Sequence, residues 1–154
     1  MPYRYAAEVE IDAPPRVVWR LLTDLPRYGE WSSFTPRARG ELAAGAVLWL
    51  QVRLLGGVPL WQRMVVENVA MPTTLIWTMR WLGGWLIRAR RTQRLQPLPG
   101  GGTRYLNEDV IDGILAPLVD LLFGPRLSRG FVRLAAELKH RAEGQARSRA
   151  QESR

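Results

Sequence analysis

Residues 3–11 alternate in polarity. Tyr3, Tyr5, Ala7, Val9 and Ile11 fall on one side and Arg4, Ala6, Glu8 and Glu10 on the other, the two-residue period of a half-buried strand. Asp12-Ala13-Pro14-Pro15 stops that strand. Proline lacks an N–H that a first helical turn leaves unbonded anyway, so the prolines predict a short helix with Val17, Val18, Leu21 and Leu22 on one face. Residues 24–40 are broken by Pro26, Gly29, Pro36 and Gly40 and are expected to form a second short helix and a loop. From Gly45 to Asp112 strand-like runs follow one another at 46–54, 60–69, 73–82, 85–96 and 103–111. They are separated by Gly56-Gly57, Met71-Pro72, Gly83-Gly84 and the run from Pro97 to Gly102. Connections this short join antiparallel neighbours.

After Gly113 the period lengthens, with Leu127, Phe131, Leu134 and Leu138 on one helical stripe. Pro117 suits a first turn, whereas Gly124-Pro125 is expected to kink or interrupt the helix. Residues 144–154 carry no apolar periodicity and are expected to be a disordered tail, leaving one domain over 1–143. A strand, two short helices, a run of antiparallel strands and a long last helix make an α+β order in which the helix must cover one face of the sheet.

Composition narrows the chemistry. The 154 residues, 47% hydrophobic and 23% charged, suit one globular domain. The absence of Cys excludes disulfides and thiolate zinc sites. The single histidine, His140, lies two residues beyond Leu138 and off the apolar stripe, so it is expected in solvent. Neither a cofactor nor a metal is expected. No apolar run approaches the ~18 residues of a membrane span, and MPYRYAAEVE lacks the apolar stretch of a signal peptide, which points to a cytoplasmic protein. The net charge of +8 comes from 22 basic residues of which 21 are Arg, spread from Arg4 to Arg154. That spread reads as a general preference for Arg, and nucleic acid is not expected as a partner. Ser32, Ser33 and Thr35 have no neighbouring histidine and no elbow motif, so they read as caps or loop polarity.

The segment Ala13-Pro14-Pro15-Arg16-Val17-Val18-Trp19, followed by Leu22-Thr23-Asp24 and Tyr28-Gly29-Glu30-Trp31, resembles the opening of the START/Bet v 1-like superfamily (SRPBCC) in its polyketide cyclase/dehydrase-like branch. Gly102-Thr103-Arg104-Tyr105, Gly113 and the last helix resemble the same family's closing strand and helix. The resemblance covers 1–143 and implies a helix-grip fold: a curved antiparallel sheet wrapped around a long C-terminal helix, two short helices after the first strand, and an apolar internal cavity. It implies a hydrophobic or amphipathic small-molecule ligand such as a lipid, polyketide or isoprenoid. Carriers and enzymes share the fold, so a cofactor-independent cyclase or dehydratase acting in the same cavity is the alternative. Trp19 and Trp31 are expected to pack the short helices on the sheet rim.

Two strands carry the candidate site. On 85–96 the even positions Arg88, Arg90, Thr92 and Arg94 mark a solvent face, so Trp85, Ile87, Ala89, Arg91, Gln93 and Leu95 point inward. On 103–111 the matching set is Tyr105, Asn107, Asp109 and Ile111. If the turn sets Leu95 opposite Tyr105, Gln93 faces Asn107 and Arg91 faces Asp109; a register slip by two would instead pair Arg91 with Asn107, still within diagonal reach of Asp109. Arg91, Gln93, Asn107 and Asp109, with Trp77 and Tyr105, are the candidate ligand-binding residues, and no catalytic residue is singled out. The inward Arg91 is expected either in an ion pair with Asp109 or as the anchor for a ligand carbonyl, hydroxyl or carboxylate. Trp81-Leu82-Gly83-Gly84-Trp85-Leu86 puts apolar side chains on a hairpin tip, where a cover is required. The cover is the end of the cavity, a partner chain as in a homodimer, or a membrane surface met by Trp81 and Trp85.

Overall fold

The structure, a computed structural model, describes residues 2–55 and 57–154; Met1 and Gly56, and with Gly56 half of the expected Gly56-Gly57 turn, lie outside the described residues. Strand β1 (Tyr3–Ile11) is followed by helix α1 (Pro15–Thr23) and a 3-10 helix (Leu25–Glu30). Six strands come next: β2 (Arg37–Gly40), β3 (Val47–Leu55), β4 (Val58–Ala70), β5 (Thr74–Trp81), β6 (Ile87–Pro97) and β7 (Thr103–Asp112). Helix α2 (Ala116–Glu152) closes the chain. The strands form one antiparallel sheet in the order β1-β7-β6-β5-β4-β3-β2, so β1 folds back beside β7 while β2 is left on the far edge. This is the helix-grip α+β fold that the resemblance implied.

Alternation decides which face is inside. On β6 and β7 buried and outward residues alternate without a break from Ile87 to Leu95 and from Thr103 to Asp112. The outward set of β6 and its neighbours is held by ion pairs, Arg88 to Asp112 at 2.6 Å and Arg90 to Glu67 at 2.9 Å. The inner face is covered by α2, which buries Leu127, Phe131, Leu134 and Leu138. A fully buried side chain such as Phe131 contributes about 1.5–3 kcal/mol through removal of its surface from water.

Gly130 sets how closely the helix approaches, because a Cβ there would meet the Phe34 ring at 2.3 Å. Phe34 in turn packs edge-on against Phe131, with 5.5 Å between ring centroids. Polar ties fix the same helix along its length. Glu137 accepts from the Ser33 N–H at 3.0 Å and from its hydroxyl at 2.6 Å, and Lys139 donates to the Glu10 carbonyl at 2.6 Å. Ser33 is thus spent on the helix, and Ser32 accepts from the Thr35 N–H at 3.0 Å, as loop residues do. Trp19 and Trp31 are buried, the latter against Tyr28.

Three expectations are corrected. Residues 37–40, read as loop, form the edge strand β2, whose only inward side chain is Ala38. Helix α2 runs through Gly124-Pro125 as one uninterrupted element, with Pro125 on its exposed side. Residues 144–152, expected as a disordered tail, continue α2, with Ala142 buried and Ala146 packed on the core.

Candidate ligand cavity

The register between β6 and β7 places Leu95 opposite Tyr105, Gln93 opposite Asn107 and Arg91 opposite Asp109. Across the inner face this makes two adjacent polar rows. One runs Tyr5, Asp109, Arg91, Trp77 from β1 to β5, and the next runs Ala7, Asn107, Gln93, Leu75.

Asp109 and Arg91 of the first row form the floor of a cavity of about 250 Å³ between the sheet and α2. Its walls are apolar: Ile87, Ala89, Ile111 and Met79 continue up the strands, Met64 and Leu60 come from β4, and Val119, Phe123 and Leu127 come from α2. Arg91, Asp109 and Gln62 are the polar side chains among them. At the open end stand Leu60, Trp61 and Trp81, each more than a third exposed.

Arg91 and Asp109 are each only 6% exposed. The ion pair expected between them does not form, since among the described residues no carboxylate oxygen lies within 4.0 Å of the guanidinium. Their positions are paired across the strands, but the Arg91 side chain reaches toward α2 and lies over the Phe131 ring, 4.6 Å from its centroid. A cation over an aromatic face recovers part of what desolvation costs. Arg91 Nε and Asp109 Oδ1 are buried without a hydrogen-bond partner among the described residues. Burial pushes the Asp109 carboxyl above the usual carboxylate range, and the nearby Arg91 charge only partly opposes this. Tyr28 and Tyr105 are likewise pushed up by burial, again against the pull of Arg91. Tyr5 is raised chiefly by burial and then by its hydrogen bond to Asp120, the hydroxyl donating at 2.5 Å.

Of the six candidate residues, Arg91 and Asp109 line the cavity. Trp77, Gln93, Tyr105 and Asn107 are buried beside it without entering its wall. Tyr105 donates to the Gln93 side-chain oxygen at 2.6 Å, whereas both polar atoms of Asn107 and the Trp77 indole N–H find no partner among the described residues. Sequence reasoning missed Phe131 as the partner of Arg91 and did not single out Val119 and Phe123 from the run 114–123, which is apolar on almost every side. The signal was present: Val119, Phe123, Leu127 and Phe131 recur every four residues and continue the helix stripe toward its N-terminus.

An apolar chamber between a curved sheet and its long helix, with one buried cation and one buried carboxyl on the floor, marks the class of helix-grip cavity proteins. The chain belongs to the polyketide cyclase/dehydrase and lipid transport family, whose model matches residues 3–143. No curated protein matches it significantly. Among solved structures, a START superfamily protein from Mycobacterium smegmatis is similar at 19% identity and TM-score 0.70, over 92% of this chain and 98% of that one. A protein from Thermus thermophilus is similar at 19% identity and TM-score 0.73, over 94% and 99%. The di-domain ARO/CYC StfQ from the steffimycin biosynthetic pathway is similar at 12% identity and TM-score 0.73, over 95% of this chain and 52% of that one. At these identities the similarity is one of fold.

Proposed function

We propose that the protein binds a hydrophobic or amphipathic small molecule whose polar end, a carboxylate, carbonyl or hydroxyl, meets Arg91 on the cavity floor. The observation that carries this reading is a buried guanidinium, in the wall of an apolar cavity, with no carboxylate of the described residues within 4.0 Å. A buried charge without a partner is costly, and an anionic or polar ligand group arriving there lowers that cost. Apolar walls supply the remaining affinity at about 25 cal/mol per Å² removed from water.

Size restricts the ligand. A cavity of ~150 Å³ takes a benzene ring, so a cavity of about 250 Å³ suits one or two fused rings or a short isoprenoid. A longer ligand leaves its remainder at the open end. Binding of naphthoate and of naphthalene, measured by calorimetry, tests the reading. Arg91→Met should weaken naphthoate about 5- to 150-fold, equivalent to about 1–3 kcal/mol, and leave naphthalene unchanged. Equal naphthoate affinity in both proteins would reject the anchor.

A second reading is favoured by Asp109. A carboxyl held above its usual range beside a cation is suited to proton transfer next to an enolate oxygen, as a cyclase or dehydratase needs. Native mass spectrometry of the purified protein distinguishes the two: a co-purified ligand recovered intact supports a carrier, and its dehydrated form supports the enzyme.

A further inference from the structure

Among the described residues thirteen large apolar side chains are exposed, and ten of them lie at one end of the molecule. The antiparallel order brings the β3–β4 connection, the β5–β6 connection and the start of α2 to that end. Val58, Leu60 and Trp61 come from the first, and Trp81, Leu82 and Trp85 from the second. Ile114 precedes α2, and Leu118, Leu121 and Leu122 share the outward side of its first two turns. Leu121 is 76% exposed and Trp85 is 60% exposed. Soluble monomers seldom gather so much apolar surface in one place. It is gathered around the open end of the cavity, since Leu60, Trp61 and Trp81 belong to both.

We propose that this rim docks on the surface of an anionic lipid bilayer, so that the cavity opens against the membrane and an apolar ligand passes between the two without crossing water. The loading step rests on the ligand-binding reading above, while the docking itself does not. Three features favour a bilayer over another protein. Indole rings, apolar in body with one N–H, settle at the headgroup level, and three of them lie on this rim. The charge around the rim is positive. Arg53 and Arg63 have no carboxylate of the described residues within 4.0 Å, while Asp112 is matched by Arg88 and Asp120, which accepts from the neutral Tyr5 hydroxyl, offsets only one of them. Basic side chains flanking an apolar surface are drawn to anionic headgroups. A second copy of the chain would instead bring another charge of +8 against the first.

Co-sedimentation with vesicles of equimolar phosphatidylcholine and phosphatidylglycerol tests this, using the full chain. The wild type should bind these vesicles, bind pure phosphatidylcholine far less, and weaken as salt rises. The double variant Trp85→Ser, Leu121→Ser changes two exposed side chains that do not line the cavity, and should lose at least tenfold in vesicle binding while keeping its melting temperature. Naphthoate binding in solution separates the two proposals. If naphthoate fails to bind but the wild type sediments and the double variant does not, docking stands and the cavity reading falls. Wild-type protein that ignores anionic vesicles, or a double variant that binds them as well as wild type, overturns docking. A concentration-dependent dimer that the double variant abolishes, without vesicle binding, overturns it in favour of self-association.

Discussion

The two polar rows on the inner face of β6 and β7 are neighbours, yet they differ in what burial has done to them. In the deeper row Gln93 accepts a 2.6 Å hydrogen bond from the adjoining Tyr105 inside the packed core, while Asn107 beside it is closed off from the cavity without a partner among the described residues. In the row facing the cavity, Arg91 and Asp109 share a cross-strand position without forming an ion pair. The same alternation of residues produced both rows. A buried polar side chain with a partner holds the fold, while one that faces a cavity unpartnered is available to something else.

The contrast breaks most visibly at Tyr105. Tyr105→Ala should cost about 3–5 kcal/mol in urea unfolding, because a fully buried ring is replaced by a void. Tyr105→Phe keeps the ring but strands the Gln93 oxygen, and the same measurement should show about 1–3 kcal/mol. Asp109→Asn should act in the opposite direction. A carboxyl whose folded-state pKa is raised opposes folding once the unfolded chain ionises. Its cost is therefore absent below the ordinary carboxylate pKa of about 4 and grows as pH rises through that value until the folded-state carboxyl ionises too. The variant should be the more stable protein at neutral pH, with the difference vanishing in acid; a difference that widens in acid would contradict the assignment. The smallest effect is expected far from both rows. Truncation after Glu143 keeps the buried Ala142 but removes Ala146, partly buried against the core, and should cost no more than about 1 kcal/mol by thermal unfolding.

How much was legible follows from where each residue type meets its surroundings. Strand β1 was readable to the residue, because its alternation is bounded by Asp12-Ala13-Pro14-Pro15. The β6–β7 register was readable because both strands alternate strictly on either side of a short glycine-rich turn. Strand β2 was not: four residues on a sheet edge bury only Ala38, too few to show a period. The last turns of α2 were missed because a segment that buries little beyond Ala142 and Ala146 needs no apolar stripe. For the site, sequence placed Arg91 and Asp109 inward and opposite each other, but the rotamer that carries Arg91 to Phe131 depends on where α2 lies. That distance is set by Gly130 and Phe34, which no strand pattern contains.

Helix α2 also separates two tasks in space. Its 37 residues rise about 55 Å, with the first turns at the open end of the cavity and the last beside the start of α1 and Pro72. The helix is thus a rigid ruler built into the molecule. A dye attached at Arg154 stands off by most of that length from whatever the open end touches, near the working range of energy transfer. The tilt of the molecule on a surface can therefore be read optically without altering a residue of the cavity.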